Sequence, residues 1–100
     1  EEKVADELIA KYPFYTKTTI PAGTYAGFDE AVPGVSVMAM LVAGPSVDAD
    51  MGYSITKAIF THLDRLQAAH AVGKQITKDT AEDGMSLPMN PGAEKYFNEK

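Results

Sequence analysis

The two histidines are the residues of this chain whose side chains most readily bind metal ions or transfer protons. His62 and His70 stand eight residues apart within a segment of helical periodicity. Zinc sites on a helix usually use two histidines four residues apart, because that spacing places both rings on one face. The observed spacing therefore favours two solvated helix residues over a metal site or a catalytic pair.

Two pairs of carboxylates resemble an acid–base site in residue type alone. Asp48 and Asp50 stand at the predicted start of a helix, where they can cap the first turn and interact with the positive end of the helix dipole. Glu82 and Asp83 are adjacent and fit a charged surface. Because capping and surface charge explain both pairs, neither predicts catalysis.

Other residue types and motifs of catalytic sites are missing from the sequence. The chain has no cysteine, which excludes disulfides, thiol catalysis and cysteine metal sites. Gly23 and Gly27 are four residues apart without the Gly-Lys-Ser/Thr ending of a phosphate loop, and no Gly-x-Ser-x-Gly motif occurs. The five methionines fit core packing better than soft-metal binding. We therefore expect no enzymatic activity, no metal and no cofactor.

A segment rich in proline and glycine, residues 21–34, contains two aromatic residues, Tyr25 and Phe28. Its composition predicts an ordered loop with tight turns. In one interpretation the aromatic side chains are exposed and contact a ligand. In the other they pack the loop against the hydrophobic core. The residues alone leave both interpretations open.

The strongest strand candidate is Val-Ser-Val-Met-Ala-Met-Leu-Val at residues 35–42. Alternate residues of a strand point to opposite faces, and here both faces are apolar, which predicts a strand buried on both sides. A second strand, half-exposed or at a sheet edge, is predicted over residues 14–20. Because a doubly buried strand needs neighbours at both edges and layers on both faces, we expect this chain to supply too few of them.

Helical periodicity predicts a short amphipathic helix over residues 2–11 and a long helix after the central strand. Ser46 or Asp48 can cap the long helix, and Gly73 can end it in a left-handed conformation. A helix of this length would overhang a compact domain of this size. It must therefore bend near residues 68–71 or pack along a larger body.

Two shorter helices are predicted in the last quarter of the chain. Residues 77–82 form the first, with Thr77 as its cap and Gly84 closing it. Asn90 and Pro91 supply a cap and a first-turn proline, which start a terminal helix.

The overall charge argues against nucleic acid as a partner. Nine Lys plus Arg stand against fourteen Asp plus Glu, for a net charge of -5, and no basic cluster longer than a pair occurs. No apolar run approaches the roughly 20 residues that span a bilayer. The sequence opens in an acidic helical pattern without an initiator Met or a signal peptide, so we expect a processed chain or a fragment.

Three collinear motifs carry a resemblance to a known family. They are Ile-Pro-Ala-Gly-Thr-Tyr at residues 20–25, Val-Met-Ala-Met-Leu-Val at residues 37–42 with the helix that follows, and Pro-Gly-Ala-Glu-Lys-Tyr at residues 91–96. With them, nearly the whole chain resembles the C-terminal third of the TAXI family of TRAP-transporter solute receptors, the extracytoplasmic substrate-binding proteins of a bacterial uptake system. Asn90 departs from the His that this family often has there, but Asn still caps a helix.

The resemblance implies an α/β chain that is a C-terminal fragment of a type II periplasmic-binding-protein fold, with few strands, a long helix and short terminal helices. Residues 1–100 would form a single fragment. Within it, residues 1–34 would contribute to the second lobe and the crossing loop, and residues 35–100 would supply the hinge strand and first-lobe helices. The implied location is periplasmic or otherwise extracytoplasmic.

The function implied by the resemblance is binding of a small organic anion, an amino acid such as glutamate or a dicarboxylate, by closure of two lobes. The receptor then delivers the ligand to the TRAP membrane permease without making or breaking a bond. Thr24 and Tyr25 are the ligand-binding candidates, because their hydroxyls can bond a carboxylate. No positive residue occupies this stretch, so the Arg or Lys that holds the anion is expected elsewhere in the receptor.

An alternative function of a different class is a stand-alone structural or interaction domain. Its exposed sheet edge would pair with a second copy of the chain and form a homodimer. A fragment deprived of its partner lobe could self-associate in the same way to cover apolar surface.

Overall fold

A computed structural model describes residues 2–99 of the chain. Within them lie four α-helices, one 3₁₀ helix and two antiparallel strands: α1 (Glu2–Lys11), β1 (Tyr15–Ile20), β2 (Val32–Val37), α2 (Ala49–Thr61), α3 (Leu63–Ala69), the 3₁₀ helix (Ala71–Gln75) and α4 (Pro91–Asn98). The predicted α/β class is confirmed. Two compact units divide the chain: a sheet unit, Glu1–Met40 with Asp83–Ser86, and a helical unit, Leu41–Glu82 with Leu87–Lys100.

In the sheet unit, β1 and β2 form an antiparallel hairpin. The register pairs Tyr15 with Val37 at one end and Ile20 with Val32 at the other. Most side chains of β1 are β-branched or aromatic and fit a pleated surface, which is why these residues form a strand. The strand predicted over residues 14–20 is thereby confirmed, beginning one residue later than expected.

The strand predicted over residues 35–42 is wrong in its position and in its burial. The observed strand β2 ends at Val37, because its partner in the register, Tyr15, is the first residue of β1 and no paired backbone lies beyond it. Pro33 lies inside β2, as is typical of strands at a sheet edge. Leu41, expected to be buried, is 78% exposed.

The helix predicted over residues 2–11 is confirmed as α1, and an ion pair links it to β1 within the sheet unit. The Asp6 carboxylate on α1 lies 2.7 Å from the Lys17 ammonium on β1. This hydrogen bond and the negative charge of Asp6 raise the pKa of Lys17 above its ordinary value of 10.5. Both side chains are more than half exposed, so the pair adds little stability.

In the helical unit, the predicted long helix is interrupted twice. α3 ends at Ala69 and His70 is extended, which confirms the bend predicted near residues 68–71, and an unpredicted break lies at His62. The His62 ring nitrogen Nδ1 donates to the Ala58 carbonyl at 2.8 Å, the acceptor that the His62 backbone N–H would use in a continuous helix. That N–H instead bonds the Ile59 carbonyl at 3.2 Å, and α3 begins one residue later. The imidazole thus replaces a backbone donor, and the helix breaks there.

Two further details of the predicted helices are wrong. Gly73 does not end a helix in a left-handed conformation; it lies in the 3₁₀ helix, where a Cβ would come within 2.5 Å of the Leu66 carbonyl oxygen. Residues 77–82 form turns and no helix, although the Thr77 hydroxyl accepts from the Thr80 N–H at 3.3 Å as a cap would. Asp and Thr in this segment favour such local bonds over helix.

The predicted caps of α2 and α4 are confirmed. The Asp48 carboxylate accepts from the Met51 N–H at 2.8 Å, and the Asn90 carboxamide oxygen accepts from the Gly92 N–H at 2.8 Å. The two helices pack against each other, and Tyr96 lies between them at 8% exposure, the one large apolar side chain buried among residues 2–99. No helix in this range is long and apolar enough to cross a membrane.

Candidate functional site

The loop that joins β1 to β2 is held in shape by its own hydrogen bonds. The Gly23 N–H donates to the Phe28 carbonyl at 2.8 Å, and the Phe28 N–H donates to the Tyr25 carbonyl at 3.2 Å. Gly23 and Gly27 have φ angles of 74° and 84°, which residues with a Cβ rarely adopt. The glycines of this segment therefore set the turns that present its aromatic side chains.

At the base of this loop lies a shallow depression of about 230 Å³, which we call the aromatic depression. Its surface is almost entirely apolar, with one carboxylate. The residues that line it are Ile20, Pro21, Tyr25, Phe28, Glu30 and Val32. The hairpin register explains the floor, because the paired residues Ile20 and Val32 stand where the loop leaves both strands.

The aromatic rings of the depression are available to a ligand. Tyr25 is 62% exposed and Phe28 is 59% exposed. Within the sheet unit, this exposure favours the interpretation in which the two side chains contact a ligand over the one in which they pack the loop against a core. Exposed aromatic rings beside an apolar floor form a surface that can stack on or enclose a small molecule.

The two predicted ligand-binding residues have different positions relative to this depression. Tyr25 lines it, whereas Thr24 does not. The Thr24 hydroxyl donates to the Pro21 carbonyl at 2.7 Å, which holds the turn and uses its one donor. Their binding role stays a prediction, with Tyr25 in the better position for it.

Sequence reasoning missed Glu30, the charged residue of the depression. Phe28 and Glu30 are two residues apart, but the loop has no regular periodicity from which a shared surface follows. The pairing of β1 with β2 brings Val32 beside Ile20, but residues 21–31 lie outside the register, so the pairing does not place Glu30 relative to Tyr25.

A second depression, of about 340 Å³, lies in the helical unit where α2 meets α3. Ala58, Ile59, His62, Arg65 and Leu66 line it. The His62 Nδ1 is already bonded to a backbone carbonyl, so the role that the structure shows for this ring is to interrupt the helix between α2 and α3.

The groups that suggested metal or acid–base chemistry are not brought together. Asp48 is a helix cap, and the His70 Nδ1 accepts from the Val72 N–H at 3.1 Å as the cap of the 3₁₀ helix. Across residues 2–99, no three His, Asp or Glu side chains are placed to share a metal ion.

Comparison with known protein families gives a match across the whole chain. The model of the NMT1-like family matches residues 1–100. This family is related to the periplasmic binding proteins and is associated with substrate binding and transport.

Proposed function

The chain belongs to the NMT1-like family, and on that premise we propose that it is part of a TAXI-type solute receptor of a TRAP uptake transporter. The family match over residues 1–100 is the observation that carries the proposal. A binding protein of this kind holds a small molecule and passes it to a membrane permease. It makes and breaks no bond, so no enzymatic activity is proposed for it.

The proposed fold is type II, of which this chain supplies the C-terminal part. Residues 1–34 belong to the second lobe and crossing loop in this proposal, and residues 35–100 to the hinge strand and first lobe. The exposure of apolar side chains supports a larger body: Leu41 is 78% exposed and Val4 is 68% exposed. Surface of this kind is usually covered in the assembled protein.

The proposed ligand is a small organic anion, either an amino acid such as glutamate or a dicarboxylate. The aromatic depression supports a ligand-contact role for the loop, since it offers exposed rings on a segment fixed by internal bonds. Closure of the two lobes over the ligand is the proposed mechanism. The proposed extracytoplasmic location rests on the resemblance to the TRAP-transporter solute receptors.

Tyr25→Phe in the intact gene product tests the contact. The substitution keeps the ring and removes the hydroxyl, so we expect the dissociation constant for L-glutamate or a dicarboxylate to rise at least several-fold in isothermal titration calorimetry. An unchanged constant would remove the Tyr25 hydroxyl from the site.

Tyr12→Phe is the matched control. Tyr12 lies outside the aromatic depression and is 40% exposed, with its ring against Phe14. Because the aromatic contact survives the change, we expect wild-type affinity from this variant. Binding of no organic anion by the unaltered protein would contradict the proposed function itself.

Self-association is a second candidate function, favoured by the sheet. Within residues 2–99 the sheet has two strands, so each strand has an edge without a strand partner. Such edges can pair with another copy of the chain. Light scattering over a range of concentrations tests this, and a monomer at the highest concentration would exclude it.

A further inference from the structure

We propose that the aromatic depression binds a protonated amino group, so that the receptor selects amino acids over dicarboxylates that lack one. This inference rests on the proposed function for the anionic part of the ligand. It narrows the substrate class at the same site. The argument uses three features of the depression: its rings, its single carboxylate and its rigidity.

The rings provide the first attraction. The face of an aromatic ring is electrostatically negative and attracts an ammonium group within about 6 Å of its centre. Tyr25 and Phe28 both line the depression and both are more than half exposed. Two rings beside one small concave surface can contact the same cation, as aromatic sites for ammonium ligands do.

The carboxylate of Glu30 provides the second attraction and gives the depression its negative charge. Among residues 2–99, no hydrogen bond or ion pair engages this carboxylate, and no Lys, Arg or His lines the depression. An anionic group placed there would be repelled by Glu30 and would lose solvation against apolar surface without a partner. An ammonium placed there gains an ion pair with the Glu30 carboxylate.

The loop is already fixed before a ligand arrives. Its turns are closed by the Gly23–Phe28 bond and by the bond from the Thr24 hydroxyl to Pro21. A site that does not need to order its own backbone loses less entropy on binding. In the proposed arrangement the ammonium lies against the ring faces and Glu30, and the carboxylates point away from Glu30.

L-Glutamate and glutarate are a matched pair of probes, because they share both carboxylates and differ in the amino group. We expect the intact gene product to bind glutamate at least tenfold more tightly than glutarate in isothermal titration calorimetry. Glu30→Gln keeps the size of the side chain and removes its charge. It should reduce glutamate affinity at least fivefold and leave glutarate affinity unchanged or slightly higher.

Asp29→Asn is the matched control, since Asp29 is the neighbouring acid and does not line the depression. It should keep the wild-type preference. Equal affinities for the two probes, or a preference that survives Glu30→Gln, would overturn the inference and leave the proposed function standing.

If neither probe binds, the proposed function fails for this ligand class, and a third measurement decides the inference alone. Ethylammonium is titrated while the ring proton signals of Tyr25 and Phe28 are followed by NMR. Saturable shifts of both rings that Glu30→Gln removes support an ammonium site. Unmoved ring signals overturn it.

Discussion

Asn90 joins the starts of two helices through a single side chain. Its carboxamide oxygen accepts from the Gly92 N–H at 2.8 Å and the Ala93 N–H at 3.4 Å, which caps α4. Its carboxamide nitrogen donates to the Val47 carbonyl at 3.2 Å, just before α2. An Asp at this position would retain the cap but lack the donor, whereas Asn provides both.

Asn90→Ala removes all three bonds, and we expect it to lower the free energy of unfolding by about 1 to 2 kcal/mol, the usual cost of a lost cap. Urea denaturation of the intact gene product measures this. Asn98→Ala is the control, because Asn98 is exposed at the opposite end of α4 and caps nothing at its start. Equal losses in the two variants would show that the Asn90 bonds contribute no stability.

At the scale of elements, the close approach of α2 and α4 depends on two glycines. A Cβ at Gly92 would overlap the Ala49 carbonyl oxygen and the Tyr53 amide nitrogen. A Cβ at Gly52 would overlap the carboxamide of Asn90. The first obstacle is helix backbone, which moves only with the helix, and the second is the end of a side chain.

Gly92→Ala should therefore be strongly destabilising. Ala normally favours a helix over Gly by about 1 kcal/mol, so without a clash this variant would gain stability. We expect a loss of about 1 to 3 kcal/mol or more, because α4 must move away from α2. The measurement is urea denaturation, with Gly44→Ala as control, since a Cβ at Gly44 meets no atom within 4 Å. A gain in stability for Gly92→Ala would contradict the packing described.

Elements with local signals could be predicted from the sequence. Pro13 stops α1, and the Asn90-Pro91 pair starts α4, because capping and proline geometry involve residues adjacent in the chain. The predictions that failed depend on contacts between residues that are distant in the sequence. The end of β2 at Val37 depends on Tyr15, which is 22 residues away in the sequence, and no local pattern contains that pairing.

The helix break at His62 and the lining of the aromatic depression show the same limit. Periodicity continues through His62 into α3, and the break comes from an imidazole that bonds the Ala58 carbonyl, which helix propensity does not describe. Tyr25 could be nominated because exposed aromatics in a Gly/Pro loop suggest contact with a ligand. Glu30 could not be nominated, because its place in the depression depends on the conformation of the loop, which no local sequence pattern describes.

At the scale of the whole molecule, the balance of buried and exposed apolar surface is unusual. Among the large apolar side chains in residues 2–99, Tyr96 alone is buried, whereas Leu41, Val4 and Leu87 are more than half exposed. A domain that folds alone buries most side chains of this kind. This imbalance is the structural reason for proposing that the chain functions as part of a larger receptor.

Leu41→Ser in the intact gene product measures whether that surface is covered. A leucine that faces solvent changes stability by less than about 0.5 kcal/mol when replaced, whereas a covered one contributes about 1.5 to 3 kcal/mol. We expect the larger loss. Ala43→Ser, two residues away and also exposed in this chain, introduces the same hydroxyl with little loss of apolar area and should stay near wild type. Equal unfolding free energies for both variants would place Leu41 in solvent and contradict a covering lobe.

Repeating the measurement at several protein concentrations separates the two candidate functions, because coverage by a second copy makes the unfolding midpoint rise with concentration and coverage within one chain does not.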